Sequence, residues 1–544
     1  MIHDEFIFQR NDDIGAAAAE DDSTFLADCF IDIGDLSALE DCDNPRRIIV
    51  GRTGAGKSAL ISVLKIRNER YAQLSPHSLA LNFIANSDVV NFFEAAGVSL
   101  APFYGLLWRH LLVVELLKLK FNIRDEASQA NYTRYMEKVL TRKDRNKEQA
   151  VEYLTKWGNK FWLTSEERVH ELVSRVEGSL KASIGGSSIG VPLNFGGAKQ
   201  LTQEQRSIVE NRGREAVSKV QIRELENIIT VLAEDIFIDH LQRFYITIDT
   251  LDEDWVDDKI KLQLIKTLLD SVRKLRQLKY VKVILAIRQD LLDRVLHFER
   301  SPGFQEEKYE SLYLDIVWTR DQLYELTEKR LQKLVRRRYT RHPITFQNLF
   351  VGSVDGRETF DYLLDRTFRR PRDIILFVNE CIRHGENRSQ ITPTMVKAAE
   401  EAYSYRRLQS LATEWQGIHP NLLHVLKMFR GMQSRFEVSE LTREFFENQY
   451  MEVLNEIEDP SADRLTKGIQ SLYSPQGNFN SVRSYFLRDL YTTGFLGIKS
   501  SPQESIHWSY LSRYSMSPGE IKGNSAVYIH PTFCRALSIN RHEK

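Results

Sequence analysis

The chain has four cysteines in 544 residues, and none forms a C-x-x-C pair: Cys29, Cys42, Cys381 and Cys534 are scattered. That argues against a disulfide framework and against a structural zinc cluster, and it fits a reducing compartment. Glycine (27) and proline (14) are too sparse for a low-complexity or collagen-like protein. Neither sign of charge dominates. Lys+Arg is 74 and Asp+Glu is 75, for a net charge of −1, so the chain as a whole is neither a polycation made to coat nucleic acid nor an acidic disordered chain. Its most apolar stretches are broken by charge well before the roughly 18 residues a membrane span needs, and no membrane partner is expected. The N-terminal MIHDEFIFQRNDD lacks the basic-then-apolar order of a secretory leader. A soluble, cytoplasmic protein is the expectation. The 13 histidines form no H-x-x-x-H or H-E-x-x-H, and no G-x-S-x-G is present; catalytic zinc and a hydrolase nucleophile elbow therefore have no support. No internal repeat of about 20–50 residues is visible, which makes a solenoid or propeller unexpected.

What is present is enough apolar character, 42%, to bury cores in three to four units. Residues 1–24 read as an N-terminal segment, with the small, acidic DDIGAAAAEDDST (12–24) as a linker. Arg46–Val50, bounded by Pro45 and Gly51, reads as a buried strand. Residues 57–70 read as a helix, Ser78–Ile84 as a strand, and Tyr104–Leu119 as an apolar helix. Residues 122–240 are charged and mostly helical in period, and the Gly/Ser-rich 178–197 interrupts them as a loop or hairpin. Strands resume at Phe244–Ile248 and Val281–Ile287. Strand, helix, strand, long insertion, strand, helix, strand is a parallel α/β pattern. Residues 318–410 read as helical. Residues 420–544 run helix, helix, an irregular segment, helix and then the strands GFLGIKS and AVYIHPTF, the order of a winged-helix domain.

The sharpest motif is Gly51-Arg52-Thr53-Gly54-Ala55-Gly56-Lys57-Ser58, a match to G-x-x-x-x-G-K-[ST] between a predicted strand and a predicted helix. The glycines let the backbone curl so that several N–H groups point at phosphate oxygens, and the following helix aims its positive end at the same anion. In such a loop Lys57 reaches the β/γ phosphates of ATP and the Ser58 hydroxyl can ligate Mg²⁺. Hydrolysis also needs a carboxylate on a neighbouring strand and a group that positions or activates water. Tyr245-Ile246-Thr247-Ile248-Asp249 ends an apolar strand in an acid and continues Thr250-Leu251-Asp252-Glu253. Asp249, at the strand's C-terminal tip, is the Mg²⁺-side candidate. Asp252 and Glu253 are candidates for polarising the attacking water, with Glu253 preferred. The long separation of Lys57 from Asp249 is why 122–240 is read as an insertion between two parts of one core, 25–121 and 241–317.

These motifs resemble those of a family. Asp249-Thr250-Leu251-Asp252-Glu253 is similar to the D-x-L-D-E second acidic motif of STAND-type signalling ATPases and to the D-D-L-D of KAP-type P-loop ATPases. Ile284-Leu285-Ala286-Ile287-Arg288 resembles the strand that carries the sensor arginine of STAND proteins. Phe368-Arg369-Arg370-Pro371-Arg372-Asp373-Ile374 resembles the start of the sensor-2 helix (G-x-P-R) in the helical lid of origin-recognition and STAND ATPases, with Arg369 where that pattern usually has Gly. The segment Trp318–Arg330 resembles the first lid helix. The resemblance covers 45–400, extends loosely over 420–540 and leaves 122–240 out. It implies a γ-phosphate contact for Arg288, a lid-borne phosphate contact for Arg372 (or Arg370), and a STAND/AAA+-like bacterial ATPase that works as a nucleotide-gated switch, self-associating or driving an effector protein, in the setting of antiviral defence. Two alternatives stay open: a DNA-binding loader or remodelling ATPase, and a scaffold that holds ATP without hydrolysing it. For DNA, the basic run Arg330–Arg341 and the segment Arg483–Arg488 are the candidate contacts.

Overall fold

In a computed structural model, residues 6–76, 101–123, 145–157, 219–253, 255–297, 307–336, 344–474, 477–511 and 516–540 are described. The expected strand at Ser78–Ile84 and the Gly/Ser-rich 178–197 lie outside them. The chain divides into two compact units, one of Gly34–Gly51 and Leu60–Ile316, the other of Met1–Ile33, Arg52–Ala59 and Val317–Lys544.

The first unit is α/β. Its strands β1 (Ile48–Gly51), β2 (Tyr71–Leu74), β3 (Phe244–Ile248), β4 (Val281–Arg288) and β5 (Tyr313–Asp315) form one sheet in the order β2-β3-β4-β1-β5. All four pairings are parallel. β1, β3 and β4 are nearly unbroken apolar runs because a parallel sheet is covered on both faces: every residue of β1 and β3 is buried. The Ala101–Phe121 and Asp258–Lys274 helices supply cover, and buried Trp108 donates its indole N–H to the Leu264 carbonyl at 2.9 Å. Asp257 caps the second helix by accepting from Lys259 N at 3.0 Å. Lys282, the second residue of β4, is fully buried. Its ammonium donates to the carbonyls of Ala38 and Asp41 at 2.6 Å and of Asn44 at 3.1 Å, so the Asp35–Glu40 helix and the loop after it are sewn to the sheet. Burial, with Arg47 beside it, pushes the Lys282 pKa down to about 7.

The second unit gathers the glycine-loop residues 52–59, the N-terminal segment and the C-terminal part of the chain. Its helices Arg320–Arg336, Thr359–Leu364, Pro371–His384 and Pro393–Glu414 share an aromatic core in which Phe377 stacks on Tyr403 at 4.3 Å. Both Pro371 and Pro393 sit in the first helical turn, where a missing N–H costs nothing. A small hairpin, β6 (Ser353–Val354) and β7 (Arg357–Glu358), joins them. Residues 12–24, expected as a linker, are tied down: Ile14 is fully buried, its N–H donates to Asn379 Oδ1 at 2.9 Å, and Asp22 pairs with buried Arg330 at 2.5 Å. Beyond 414, β8 (Arg435–Glu437) precedes the helices Arg443–Leu454, Arg464–Ser471 and Phe479–Thr493, and β9 (Leu496–Lys499) and β10 (Ala526–Ile529) follow. These three strands form an antiparallel sheet in the order β8-β10-β9. No helix among the described residues is long and apolar enough to cross a membrane.

Candidate functional site

Parallel strands deliver their ligand-binding loops at their C-terminal ends. In the first unit three predicted features leave those ends side by side. Gly51, the last residue of β1 and the first of the glycine motif, is the register partner of Arg288, the last residue of β4. β3 pairs with β4 on its other side, and Asp249 directly follows β3. The loop after β3 is held by its apolar residues. Leu251 is fully buried, Trp255 nearly so, and the Trp255 indole N–H donates to the Leu251 carbonyl at 3.2 Å. Asp252 and Glu253 therefore ride on the exposed side of that anchored turn. Asp249 Oδ1 accepts from Thr250 N at 2.9 Å, and Thr250 has φ 60°. A β-branched residue in the left-handed region is a strained conformation of the kind that clusters at working sites.

Arg288 and the acids beside it form a set. Its Nε and Nη2 donate to the two oxygens of Asp290 at 3.0 and 2.9 Å, and its Nη1 lies 3.5 Å from Asp252 Oδ2. Asp252 thus faces a guanidinium. Asp290, which holds Arg288 by a two-pronged contact, was not singled out from the sequence. Its i+2 spacing from Arg288 is the signal that was there to use.

In the second unit the glycine loop is gripped from outside. Gly54 and Gly56 have φ 76° and 106°, the left-handed angles a curled loop of inward N–H groups uses. Ala55 N donates to Arg52 O at 3.1 Å, and the same oxygen accepts from Lys57 Nζ at 3.2 Å. Arg370 donates to the Thr53 carbonyl, Arg372 N approaches Gly54 O at 3.4 Å, and the Trp318 indole N–H donates to Ala55 O at 2.8 Å. Three consecutive loop carbonyls, Thr53, Gly54 and Ala55, are thereby directed toward the 318–372 region. The helix from Lys57 places Ser58 in its first turn. Trp318 was named from sequence only as part of a lid-like segment, and its contact to the loop was not foreseen.

The two arginines flanking Pro371 differ. Arg370 is buried and pairs with Asp373 and Glu414 at 3.0 Å each, while Arg407 lies 3.5 Å from Asp373 and 3.6 Å from Glu414. Burial alone would lower the Arg370 pKa, but Asp373 and Glu414 outweigh it and raise it. The same network lowers the Asp373 and Glu414 pKa values against their burial, chiefly through Arg370. Arg370 is therefore part of a closed four-charge structure. Arg372 is half-buried, its Nε is 3.4 Å from Ala17 O, and burial together with Arg370 lowers its pKa. Of the pair, Arg372 is the one whose charge is not balanced within that network. Arg369 has φ 49°, a left-handed angle at the very position where the resembling pattern carries glycine.

The basic stretches look different in three dimensions. In the run from Arg330, Arg330 itself is buried on Asp22, and Lys333 pairs with Asp28 at 2.5 Å; residues 337–341 lie outside the described residues. Near the C-terminus, Arg488 pairs with Asp489 at 2.7 Å, and Arg483 lies over the Phe479 ring at 5.0 Å.

Comparison with known proteins adds relatives. Residues 321–412 match the family model of a FunZ-associated C-terminal helical domain. The chain is similar to the putative transposon gamma-delta 80.3 kDa protein of Escherichia coli (strain K12). The two are 25% identical over 554 residues, which covers 98% of this chain and 68% of that protein. It is also similar to Allergen Alt a 2 of Alternaria alternata, 26% identical over 165 residues, or 30% of this chain and 84% of that protein. No solved structure matches the chain. Arg370, Asp373 and Arg407 fall inside the matched 321–412 region, whereas Glu414, the glycine loop and Asp249 fall outside it.

Proposed function

We propose that this chain is a Mg²⁺-dependent P-loop ATPase of STAND/AAA+-like type, working as a nucleotide-gated switch in a protein assembly, with a helical lid over 318–410 and a winged-helix-like region after 420. The observation that carries the reading is the glycine loop. It follows the last residue of a buried parallel strand, curls through left-handed Gly54 and Gly56, and opens the Lys57 helix. A loop of that shape presents N–H donors, one lysine and one serine hydroxyl, which is a donor set suited to a nucleotide triphosphate with Mg²⁺. In this reading the residues 51–58 (Gly51, Arg52, Thr53, Gly54, Ala55, Gly56, Lys57, Ser58) bind the phosphates, and Ser58 and Asp249 hold the cation. Bound Mg²⁺ neutralises charge on the transferring phosphoryl group. Glu253, or Asp252 in its place, orients and deprotonates water, and Arg288 and Arg372 supply positive charge. Antiviral defence, with self-association or an effector protein as partner, remains the setting that the family resemblance implies.

The test is turnover of Mg–ATP by the purified full chain, with bound nucleotide measured in parallel. Hydrolysis that is lost in Lys57→Ala supports the ATPase; copurified nucleotide with no turnover supports the non-hydrolysing scaffold instead. The name of the E. coli relative ties that protein to a transposon, and this favours one second reading, a DNA-linked ATPase. Hydrolysis stimulated by DNA with steep salt dependence would select it.

A further inference from the structure

We infer that Arg52 is the positioning residue through which the glycine loop is read by the C-terminal region. The inference rests on the nucleotide-loop reading above. In G-x-x-x-x-G-K the intervening residues serve through their backbone, so the side chain at Arg52 is spared for another task. Its guanidinium reaches the end of the Phe479–Thr493 helix. Nη2 donates to Thr492 O at 2.7 Å and to Ser509 Oγ at 2.9 Å, and Nη1 donates to Thr493 O at 3.3 Å. Helix-terminal carbonyls lack intrahelical partners and carry the negative end of the helix dipole. A planar fork with five donors is the side chain that can take several of them at once.

The receiving end is built to hold still. Ser509 is buried, and its hydroxyl also donates to Tyr491 O at 2.6 Å, so it braces the same helix terminus. The helix stops at Gly494, with φ 89°, and a β-carbon there would lie 2.9 Å from Arg52 Nη1 and 3.3 Å from the Phe368 ring. Phe368 stacks on Tyr510 at 5.0 Å. It also precedes the Arg369–Arg372 turn that grips the next loop carbonyls. Loop, lid turn and helix terminus therefore meet around one guanidinium. A loop displacement of about 1 Å would carry hydrogen bonds of this length beyond the bonding range, so any rearrangement on phosphate binding is passed on to residues 491–494 and 507–511.

Hydrogen exchange on the full chain, with Mg–ATPγS, with Mg–ADP and without nucleotide, tests this. Wild type is expected to show protection of 51–58 and, in the same samples, an exchange change of about tenfold at 488–494 and 507–511. Ser509→Val lies outside the loop and removes one acceptor while crowding Nη2. It is expected to keep the loop response and lose most of the C-terminal one. Arg52→Ala, read only at nucleotide concentrations where its own loop is protected, should lose the C-terminal response altogether. A protected loop with unchanged exchange at 488–494 in wild type, or a wild-type C-terminal response in Ser509→Val, would overturn the coupling and leave the ATPase reading standing. An unprotected loop in wild type with both nucleotides would overturn both.

Discussion

Gly54 and Arg372 approach so closely that a β-carbon on Gly54 would lie 2.6 Å from Arg372 Cβ and 2.8 Å from its Cδ. The glycine is required twice, for its left-handed φ of 76° and for the room it leaves Arg372. Gly54→Ala should therefore cost about 1–3 kcal/mol in strain alone, lower the unfolding midpoint and weaken nucleotide binding. Arg372→Gly in the same chain removes the nearest clashing atom, so the double variant should be less impaired than the two single losses combined. A double-mutant cycle with no coupling would show that the contact carries no energy.

Lys57→Ala removes the one point charge that the motif places among neutral loop amides. Nucleotide affinity should fall by more than about tenfold, a loss of over about 1.4 kcal/mol. Calorimetric titration with Mg–ATP checks it, and affinity retained within that factor would mean the nucleotide binds elsewhere.

Glu253→Gln and Asp249→Asn should separate two roles. The first is expected to bind Mg–ATP and slow turnover by about 10²–10⁴, because an amide cannot accept the proton of water. The second should weaken binding and flatten its dependence on Mg²⁺. Arg288 faces Asp252 at 3.5 Å but is held by Asp290 at 2.9–3.0 Å, so Asp252→Asn should remove only the weaker of its two acidic contacts. If Asp252→Asn traps ATP while Glu253→Gln turns it over, the roles are reversed.

A pH effect follows from Lys282. Its folded pKa, about 7, lies below the ordinary 10.5. Between those values the unfolded chain binds the extra proton, so the contribution of Lys282 to stability is full above about 10.5 and is lost as pH falls toward 7. Lys282→Met lacks this titration and strands three carbonyls, Ala38, Asp41 and Asn44, at about 1–3 kcal/mol for each such group. The gap in unfolding midpoint between wild type and variant should widen from pH 7 to pH 9. A gap that stays constant would place the ammonium in a solvated setting.

The parts of the fold that could be read in advance were those written in local pattern. β1, β3 and β4 are runs of buried apolar residues between turn signals, and a mixed α/β architecture with a parallel sheet followed from them. Tyr313–Asp315 and Arg435–Glu437 have only three residues each, too few for alternation to show. They are strands because neighbours already in place offer them hydrogen bonds. The same limit applies to the loop. Gly51–Ser58 is visible as a motif, but what grips it is distant in sequence: Trp318, Arg370, Arg372, Thr492 and Ser509. The charged core was also hidden: the sequence offered Arg370 as an alternative phosphate contact and gave Asp373, Arg407 and Glu414 no role of their own, and only packing brings the four together. Arg369, out of pattern by residue type, matches the glycine of the resembling motif in backbone angle.

The two neighbouring arginines Arg370 and Arg372 should fail in different ways. Removing Arg370 leaves Asp373 and Glu414 buried without their main counter-charge, since Arg407 lies 3.5–3.6 Å from both and Arg370 at 3.0 Å. Breaking a buried pair from one side costs about 3–5 kcal/mol, so Arg370→Ala should lower stability with or without nucleotide. Arg372 has no such closed partnership, and its pKa is lowered by burial and by Arg370, which means a nearby anion is favourable to it. A charged contact made only to a triphosphate is worth about 1.5–3 kcal/mol, enough to change lid populations by tenfold or more. ATP, and not ADP, should therefore protect residues 360–380 from proteolysis or hydrogen exchange. Arg372→Ala should erase that difference while the unfolding midpoint without nucleotide stays near wild type. Identical protection by ATP and ADP in the wild type would remove the switch and leave a plain nucleotide-binding scaffold.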